Sequence, residues 1–354
     1  MSRPLRVLVP LLSRDAGGNP DLSLLYDAMV KLGPVSVEPY STAAALSGRA
    51  DIIHVYWPEW LVRRDGGPLA VAADGARVLA ELRMAKARGA KIVWTANNIR
   101  PHETDRLGLT RRFVDAFSKL VDQVVCPSAT SLDQFRYEYP AIVGLDQRVI
   151  RQGTYRGFYP DERLSAHDAR VKLGLPLDKR IALAFGMVRA YKNVPQLLRC
   201  FAEVTRRRDD AFLLVAGKPY PDSLGAQIGQ LAAGLPGVRA DLDRVADSEI
   251  QYYLRAADCV VIGTSFAVNT GVAMLALSFD RPVLLPHRGA ALDYRDDAGS
   301  AWVHTYDGGM RASVLERAFD IDPPAGSPDL GEQHRWPTIA RALYQAYQCI
   351  TGLI

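Results

Sequence analysis

The chain has 354 residues, of which 48% are hydrophobic and 23% charged, and its net charge at pH 7 is +4. This length predicts about two domains, and the composition excludes an intrinsically disordered protein. The basic residues are scattered, with Arg206–Arg208 as the only tight run. This scatter argues against nucleic acid as a partner.

Cysteine usage and hydropathy both predict a cytoplasmic protein. Cys126, Cys200, Cys259 and Cys349 lie far apart, without metal-site spacing, and suit buried free thiols in a reducing compartment. The N-terminus enters a strand without a signal-peptide core, and no apolar stretch approaches the length of a membrane span. Attachment to the inner face of the plasma membrane stays open.

In the first half, apolar strand-like runs alternate with helical patterns, which is typical of a parallel sheet covered by helices. The predicted strands are Leu5–Leu12, Val35–Glu38, Asp51–Tyr56, Lys91–Thr95, Gln123–Cys126 and Arg148–Arg151. Helices are predicted near residues 20–32, 70–88, 108–119 and 129–138.

The stretch Gln152–Lys179 is rich in Gly, Pro and charge, which indicates an interdomain linker with one short helix. The second half repeats the alternation, with strands predicted at Ile181–Phe185, Phe212–Ala216, Val260–Gly263 and Pro282–Leu285. Its helices are predicted near 193–207, 223–233, 247–256 and 270–279, and a last helix at Pro337–Thr351. The prediction is an α/β protein with two Rossmann-like domains facing each other across a cleft, where ligands of such sheets bind. The domains are 1–155 and 156–335, and residues 336–354 return to the first.

The strongest chemical signal follows the strand Ile181–Phe185. Gly186 ends this strand, and Arg189 and Lys192 follow before the next helical pattern. Glycine lets the backbone approach a phosphate, the two cations neutralise it, and the helix start adds free N–H groups. The pattern predicts a site for the pyrophosphate of a nucleotide-linked substrate.

Two further stretches of the second half fit the same ligand. Asn269, Thr270 and Gly271 open a helix, and their donors suit the other end of the pyrophosphate. The loop at Val245 precedes a helix start and is placed to meet a base in a nucleotide-binding domain.

Sugar-binding side chains are expected at the end of the strand Asp51–Tyr56. Trp57 and Glu59 follow the strand, and His54 shares a strand face with Tyr56 because side chains alternate. An aromatic ring beside a carboxylate suits a sugar, whose apolar face stacks while its hydroxyls need acceptors.

Loops after two other strands add backbone and amide groups. Gly17 and Gly18 precede Asn19, and this flexible turn allows the backbone to approach a sugar or phosphate. Asn97 and Asn98 follow the strand that ends at Thr95 and supply amides on the same side of the sheet.

A transfer reaction needs a group that takes a proton from the attacking hydroxyl. His102 and Glu103 lie in the loop after Asn98, and with Glu59 they are the candidates for this general base. The sequence leaves open which of the three acts.

The motifs of several other enzyme classes are missing from the sequence. There is no GxGxxG fingerprint, Walker motif, HExxH or GxSxG, so hydride transfer, ATP hydrolysis and serine hydrolysis lose their usual support. The pair Asp241 and Asp243 has metal-binding spacing but lies in a predicted loop. No metal or other cofactor is expected, since Arg and Lys can neutralise a diphosphate in place of a divalent cation.

Together these elements resemble a GT-B glycosyltransferase, and most closely glycosyltransferase family 94, whose founding type is the β-1,4-mannosyltransferase of xanthan assembly. The matching residues span both halves in order. They are Asn19-Pro20 with Leu24-Leu25-Tyr26-Asp27-Ala28, Asp51-Ile52-Ile53-His54 with Trp57-Pro58-Glu59, Asn98 with Pro101-His102-Glu103, Phe185-Gly186 with Arg189 and Tyr191-Lys192, Asn269 with Gly271, Ala276-Leu277-Ser278, Arg281-Pro282-Val283-Leu284, and Trp302-Val303 with Tyr306.

The resemblance implies an inverting enzyme that transfers mannose from GDP-mannose to a glucuronic-acid-ended, lipid-linked glycan in exopolysaccharide assembly. The first domain would then bind the acceptor and the second the nucleotide sugar. Donor-side residues would be Gly186, Arg189, Tyr191, Lys192, Val245, Asn269, Thr270 and Gly271. Acceptor-side residues would be Gly17, Gly18, Asn19, His54, Trp57, Asn97 and Asn98, with Glu59, His102 and Glu103 as the catalytic group.

The chain departs from its relatives at several positions. Asn97 and Tyr56 stand where relatives usually have histidine, and Ala267 and Leu275 lie near the places of the paired glutamates of the retaining family 4. Alternative readings are a catalytically idle GT-B module, a transferase that uses another nucleotide sugar on a small acceptor, and a phosphorylase or epimerase.

A lipid-linked acceptor would bring the chain to a membrane surface. The sequence offers two stretches for peripheral contact, one at Arg63 and Arg64, and one on a helix with paired basic and aromatic residues. The helix residues are Arg111, Arg112, Phe113 and Phe117. An ordinary half-buried helix with a solvated face is the competing interpretation.

Overall fold

The computed structural model describes residues 3–10, 20–63, 66–99, 107–264 and 271–353. The chain divides into two compact units, one formed by Met1–Gly153 with Gly331–Ile354 and the other by Thr154–Leu330. The chain returns from the second unit to the first at Gly331, a few residues before the predicted boundary at 335/336. The buried His334 explains this, because its Nδ1 bonds to the carbonyl of Gln152 in the first unit at 2.7 Å.

The first unit is built on a parallel sheet, whose described strands follow the order β2-β1-β3-β4-β5-β6. The strands are β1 (Leu5–Val9), β2 (Val35–Pro39), β3 (Ile52–Val55), β4 (Lys91–Thr95), β5 (Gln123–Cys126) and β6 (Asp146–Val149). The helices are α1 (Pro20–Val30), α2 (Thr42–Leu46), α3 (Pro68–Ala87), α4 (Leu107–Ser118) and α5 (Ala129–Glu138).

The second unit also has a parallel sheet, with its described strands in the order β11-β9-β7-β12-β13-β14, and a short β8-β10 pair. The strands are β7 (Arg180–Phe185), β8 (Val188–Arg189), β9 (Ala211–Ala216), β10 (Pro219–Tyr220), β11 (Val238–Asp241), β12 (Cys259–Val261), β13 (Val283–Pro286) and β14 (Val303–Tyr306). The helices are α6 (Ala166–Leu173), α7 (Val194–Val204), α8 (Asp222–Ala233), α9 (Ile250–Ala256), α10 (Gly271–Ser278), α11 (Ala290–Ala298) and α12 (Ala312–Glu316).

The central strands are apolar on both faces, as parallel sheets covered by helices require. In β3, Ile52 and Ile53 point to opposite faces, and both are fully buried. The last helix, α13 (Trp336–Thr351), closes the first unit. Its apolar side, which includes Ile339 and Leu343, joins the core formed by β1 and α1. The C-terminal helix therefore belongs to the first unit.

Most of the stretch predicted as a linker, from Thr154 to Lys179, is instead folded into the second unit. Arg170 on α6 is buried and forms an ion pair of 2.8 Å with Asp258, and its Nε donates to the carbonyl of Ala256. The hydroxyl of Ser278 accepts a hydrogen bond from the backbone N–H of Tyr155. Composition suggested a linker, but these buried polar contacts hold the segment against α9 and α10.

Several elements differ from those predicted. The sequence patterns missed β8, β10, β11, β14, α2, α11 and α12, whose short or mixed sequences lack clear periodicity. Strand β6 lies two positions before its predicted place, and α9 begins at Ile250 and not at 247, after a Glu249 cap without a side-chain bond.

Candidate active site

Each sheet has a point where the strand order reverses, and the crevice beyond the carboxyl ends there is the usual ligand site of such sheets. In the second unit this point lies between β7 and β12, which are neighbours in the sheet but distant in sequence. In the first unit it lies between β1 and β3. The predicted pyrophosphate loop directly follows β7, and Trp57 and Glu59 follow β3.

Gly186 ends β7 in a backbone conformation that favours glycine, with φ at +85°. A Cβ atom placed there would lie 3.3 Å from the Nζ of Lys192 and 3.4 Å from the side chain of Val272. The strand end, the lysine ammonium and the first turn of α10 therefore meet at one point. The structure thus brings together groups that the sequence pattern assigned to a diphosphate site, and that assignment stays a prediction.

Lys192 folds back over the end of β7, where its Nζ donates a 3.2 Å hydrogen bond to the carbonyl of Phe185. Burial, together with the nearby positive charge of Arg189, lowers the pKa of Lys192 to about 8. The ammonium is thus protonated at pH 7 but poorly solvated. Such a cation interacts strongly with an arriving anion because little water has to be displaced.

The turn between Lys192 and α7 is fixed by Asn193. This residue adopts the left-handed conformation, with φ at +52°, and α7 begins directly after it at Val194. Its side-chain Nδ2 donates a 3.3 Å hydrogen bond to the carbonyl of Gly263, just beyond β12. Asn193 therefore ties together the two strand ends that flank the reversal point.

Three of the other donor-side predictions lie within the described residues. Tyr191 is half-buried in the single 3₁₀ turn Ala190–Lys192, and Val245 is half-buried in the loop between β11 and α9. Gly271 is the first residue of α10. Asn269 and Thr270 lie outside the described residues.

His54 does not lie at the surface of the first unit, which corrects the expectation that it binds an acceptor. Its side chain is 0% exposed, and both ring nitrogens are bonded. Nδ1 is bonded to the hydroxyls of Tyr26 and Tyr347, and Nε2 to that of Thr95 at 2.7 Å. Burial lowers the pKa of His54 to about 3, so the imidazole is neutral at pH 7. The residue joins β3, β4, α1 and α13 in the core.

Trp57 and Glu59 lie at the predicted end of β3. Trp57 is half-buried and its ring lies 5.7 Å from that of Tyr56. Glu59 is half-buried in the 3₁₀ turn Pro58–Trp60. Burial is the largest cause of a raised pKa of Tyr139, and the charges of Glu138, Asp115 and Glu59 contribute to it in that order.

Tyr139 also connects Glu59 with the loop that follows β4. Its hydroxyl donates a 2.8 Å hydrogen bond to the carbonyl of Ile99, directly after Asn97 and Asn98. Both asparagines are half-buried. The structure thus brings Glu59 and the asparagine loop into one neighbourhood. The other acceptor-side and catalytic predictions, Gly17, Gly18, Asn19, His102 and Glu103, lie outside the described residues.

Comparison with known proteins gives this geometry a family context. No family model matches the chain. It is 29% identical over 340 residues to the GDP-mannose:glycolipid 4-beta-D-mannosyltransferase of Xanthomonas campestris pv. campestris, which covers 94% of this chain and 89% of that protein.

Two solved structures show the fold. Sucrose-phosphate synthase from Thermosynechococcus elongatus superposes with a TM-score of 0.71 at 15% identity, covering 99% of this chain and 100% of the other. Anabaena HepE in complex with UDP-glucose superposes with a TM-score of 0.61 at 14% identity, covering 99% of this chain and 98% of the other. The chain is a GT-B glycosyltransferase. The predicted fold class and enzyme class are confirmed.

The helix predicted as a membrane surface of the glycosyltransferase has a different orientation. Phe113 and Phe117 on α4 lie one turn apart and are both buried, while Arg111 and Arg112 on the other side are exposed. The aromatic half of the predicted surface therefore faces the core, because residues four apart share a helix face. Among the helices of the described ranges, none is both long and apolar enough to cross a bilayer.

Asp241, the first residue of the pair Asp241 and Asp243, is bonded to side chains of the second unit. The two carboxylate oxygens of Asp241 accept hydrogen bonds of 2.8 Å, one from Arg239 and one from the hydroxyl of Tyr253. Over the described ranges, no three His, Cys, Asp or Glu side chains are grouped as a metal site would require. The expectation that transfer needs no metal stays a prediction.

Sequence reasoning missed two residues at the donor-side strand ends. One is Asn193, described above. The other is Gly217, which ends β9 beside Gly186 with φ at +138°. The signal for Gly217 was available, because β9 ends in Ala216 and Gly217 much as β7 ends in Phe185 and Gly186. Asn193 had no such signal, since its bond partner Gly263 lies far along the chain.

Proposed function

We propose that this glycosyltransferase moves mannose from GDP-mannose, with inversion, onto a glucuronic-acid-ended, lipid-linked glycan in exopolysaccharide or glycoconjugate assembly. The observation that carries the donor class is the half-buried ammonium of Lys192 beside Gly186 and the start of α10. The choice of GDP, mannose and a glycolipid acceptor is supported by the name of the Xanthomonas relative, which is similar over most of the chain.

The proposed chemistry is a single displacement at the anomeric carbon of the donor. The oxygen of an acceptor hydroxyl forms a bond to this carbon while the bond to the diphosphate oxygen breaks. The electron pair of that bond leaves with GDP, and the hydroxyl proton goes to a general base. Lys192 and Arg189 neutralise the charge that develops on the diphosphate. Electrostatic stabilisation of this kind is usually the largest single contribution to lowering the activation barrier.

Glu59 is the candidate base within the described residues. A carboxylate can accept the hydroxyl proton, and Glu59 shares its surroundings with the loop of Asn97 and Asn98, whose amides suit sugar hydroxyls. His102 and Glu103 stay candidates for the same role. Two cations at the diphosphate make a divalent metal unnecessary in this scheme, and we propose transfer without one.

A lipid-linked acceptor places the proposed reaction at a membrane surface. We propose the inner face of the plasma membrane and contact through exposed basic residues such as Arg111 and Arg112, without the phenylalanines of α4. Binding to vesicles with and without anionic lipid, compared between the parent chain and the variant with both arginines replaced by Ala, tests this part separately.

The donor assignment is tested with a panel of nucleotide sugars. The thermal midpoint is measured with GDP-mannose, GDP-glucose, UDP-glucose and dTDP-glucose, because a ligand at 100 times its dissociation constant adds about 2.7 kcal/mol of stability. We expect the largest shift with GDP-mannose, and GDP release on adding a glucuronic-acid-ended acceptor. NMR of the product then reports the anomeric configuration, for which we expect the β form.

A second candidate donor comes from the fold neighbours, since HepE holds UDP-glucose. A larger shift with UDP-glucose than with GDP-mannose would replace the donor in our proposal and leave the site unchanged. Donor binding without release of GDP or UDP, with any acceptor offered, would favour an idle GT-B binding module. No shift with any nucleotide sugar would remove the proposed function.

A further inference from the structure

Tyr220 lies beside Arg189 because two strand ends approach closely. The N–H of Gly186 donates to the carbonyl of Ala216 at 2.9 Å, and a Cβ atom on Gly217 would lie only 2.5 Å from the carbonyl oxygen of Gly186. Only glycine allows this approach. Beyond it, β8 and β10 continue as a parallel pair in which Arg189 is opposite Tyr220.

The Arg189 side chain contacts two side chains, those of Tyr220 and Met187. Its guanidinium carbon lies 4.4 Å from the centre of the Tyr220 ring, within the range of a cation–π contact. Its Nε lies 3.1 Å from the Sδ of Met187. Tyr220 is 50% exposed, so its ring does not belong to the hydrophobic core.

Stacking on an aromatic ring uses the face of the guanidinium, whereas a phosphate is bound through the N–H groups at its edge. Arginine therefore keeps its ability to bind a phosphate through two parallel hydrogen bonds while its rotamers are restricted. Arg189 is also close enough to Lys192 to lower the pKa of that lysine, so the restricted guanidinium and the ammonium serve one region.

We infer that Tyr220 is a positioning residue, which holds Arg189 in place for the diphosphate of the nucleotide sugar. This inference rests on the proposed function. It assigns to the β8-β10 pair a task that the sequence patterns did not suggest. Without the ring, Arg189 would have to be ordered when the donor binds, and donor affinity would fall.

The first test compares Tyr220→Ala with Tyr220→Phe. A cation–π contact at a partly exposed site corresponds to about a two- to fivefold change in affinity. We expect Tyr220→Ala to raise the donor KM and the Kd for GDP by about this factor, with a smaller change in kcat. Tyr220→Phe keeps the ring and should behave as the parent chain. Tyr137→Ala is the matched control, because Tyr137 is 88% exposed and lies in the other unit.

A double-mutant cycle separates positioning from general damage. In the Arg189→Ala background, Tyr220→Ala should leave the Kd for GDP unchanged, since the group that it positions is gone. Equal losses in both backgrounds would overturn the inference, and so would parent-like GDP affinity in Tyr220→Ala. If the parent chain binds no nucleotide at all, the proposed function fails, which is a different outcome.

Discussion

The ends of the two sheets treat a buried ionisable group in opposite ways. After β7, the ammonium of Lys192 is half-buried with a single described backbone acceptor and stays protonated at pH 7. On β3, the imidazole of His54 is fully buried and neutral, with hydroxyl partners at both nitrogens. The protonated Lys192 can therefore attract an anion, whereas the neutral His54 leaves no charge in the core.

This contrast teaches that burial alone does not mark a ligand site. The pKa of each group is lowered by burial, yet only Lys192 lies beside a strand-end glycine and the start of a helix. His54 instead connects α13 to β3, so its contribution is to the stability of the first unit. Variants at the two places should therefore fail in different ways.

The largest effect is expected from Lys192→Ala. Removal of one well-placed charge that stabilises a leaving group costs about 10²- to 10³-fold in turnover. We expect that loss with GDP-mannose while the thermal midpoint stays near that of the parent chain. Lys119→Ala, at an exposed lysine of the other unit, is the control and should keep full turnover. Full turnover in Lys192→Ala would remove its assignment.

Gly217→Ala should weaken donor binding through backbone strain, without changing any charge. Its Cβ atom would press against the carbonyl of Gly186 in a conformation that favours glycine, at a cost of about 1–3 kcal/mol. We expect a lower free energy of unfolding and weaker donor binding. The control is Gly229→Ala on α8, where a Cβ meets nothing within 4 Å and the change should be neutral or stabilising. Equal unfolding free energies and equal donor affinities in the two variants would show that Gly217→Ala introduces no strain.

His54→Gln sharpens the other side of the comparison. The pKa of folded His54 is about 3, below that of an unfolded histidine, so the unfolded chain binds an extra proton between about pH 6.5 and 3. Stability is therefore lost as the pH falls through this window, by up to about 1.4 kcal/mol per pH unit.

The glutamine keeps polar partners for the hydroxyls but does not titrate. We expect a shallower loss of unfolding free energy with acid in His54→Gln, measured by urea unfolding at several pH values. His167→Gln, at an exposed histidine, should leave the slope unchanged. An unchanged slope in His54→Gln would show that this imidazole does not stay neutral in the fold.

The smallest of these four effects is expected in the pH dependence of donor affinity. Since the pKa of Lys192 is about 8, its charge is lost between pH 7 and 9, and the affinity for GDP should fall about tenfold over this range. In Lys192→Arg the charge persists, and the affinity should stay nearly constant. Parallel pH profiles of the parent chain and this variant would argue against a lowered lysine pKa.

The sequence predicted much of this molecule because its strands carry strong apolar runs. β4, β5 and α5 have the predicted bounds, and the order of elements gave the two Rossmann-like halves. The loop from Gly186 to Lys192 could also be recognised, because a glycine after a strand followed by two cations is a local pattern.

What the sequence could not give depends on contacts between distant residues. His54 was expected to meet a ligand because it lies near a strand end, and nothing in the local pattern shows that Tyr347 reaches it from the last helix. The pattern of Phe113 and Phe117 fits both a membrane surface and an ordinary half-buried helix, and only their burial in the first unit decides between the two. The stack of Arg189 on Tyr220 arises only once β8 and β10 pair.

The most direct test of the diphosphate site is a calorimetric titration at pH 7 with GDP and with guanosine, which lacks the phosphates. We expect the parent chain to bind GDP far more tightly than guanosine, and Lys192→Ala to lose most of this difference while its weak affinity for guanosine is kept. If Lys192→Ala binds GDP as tightly as the parent chain does, the diphosphate is held elsewhere and the assignment is wrong.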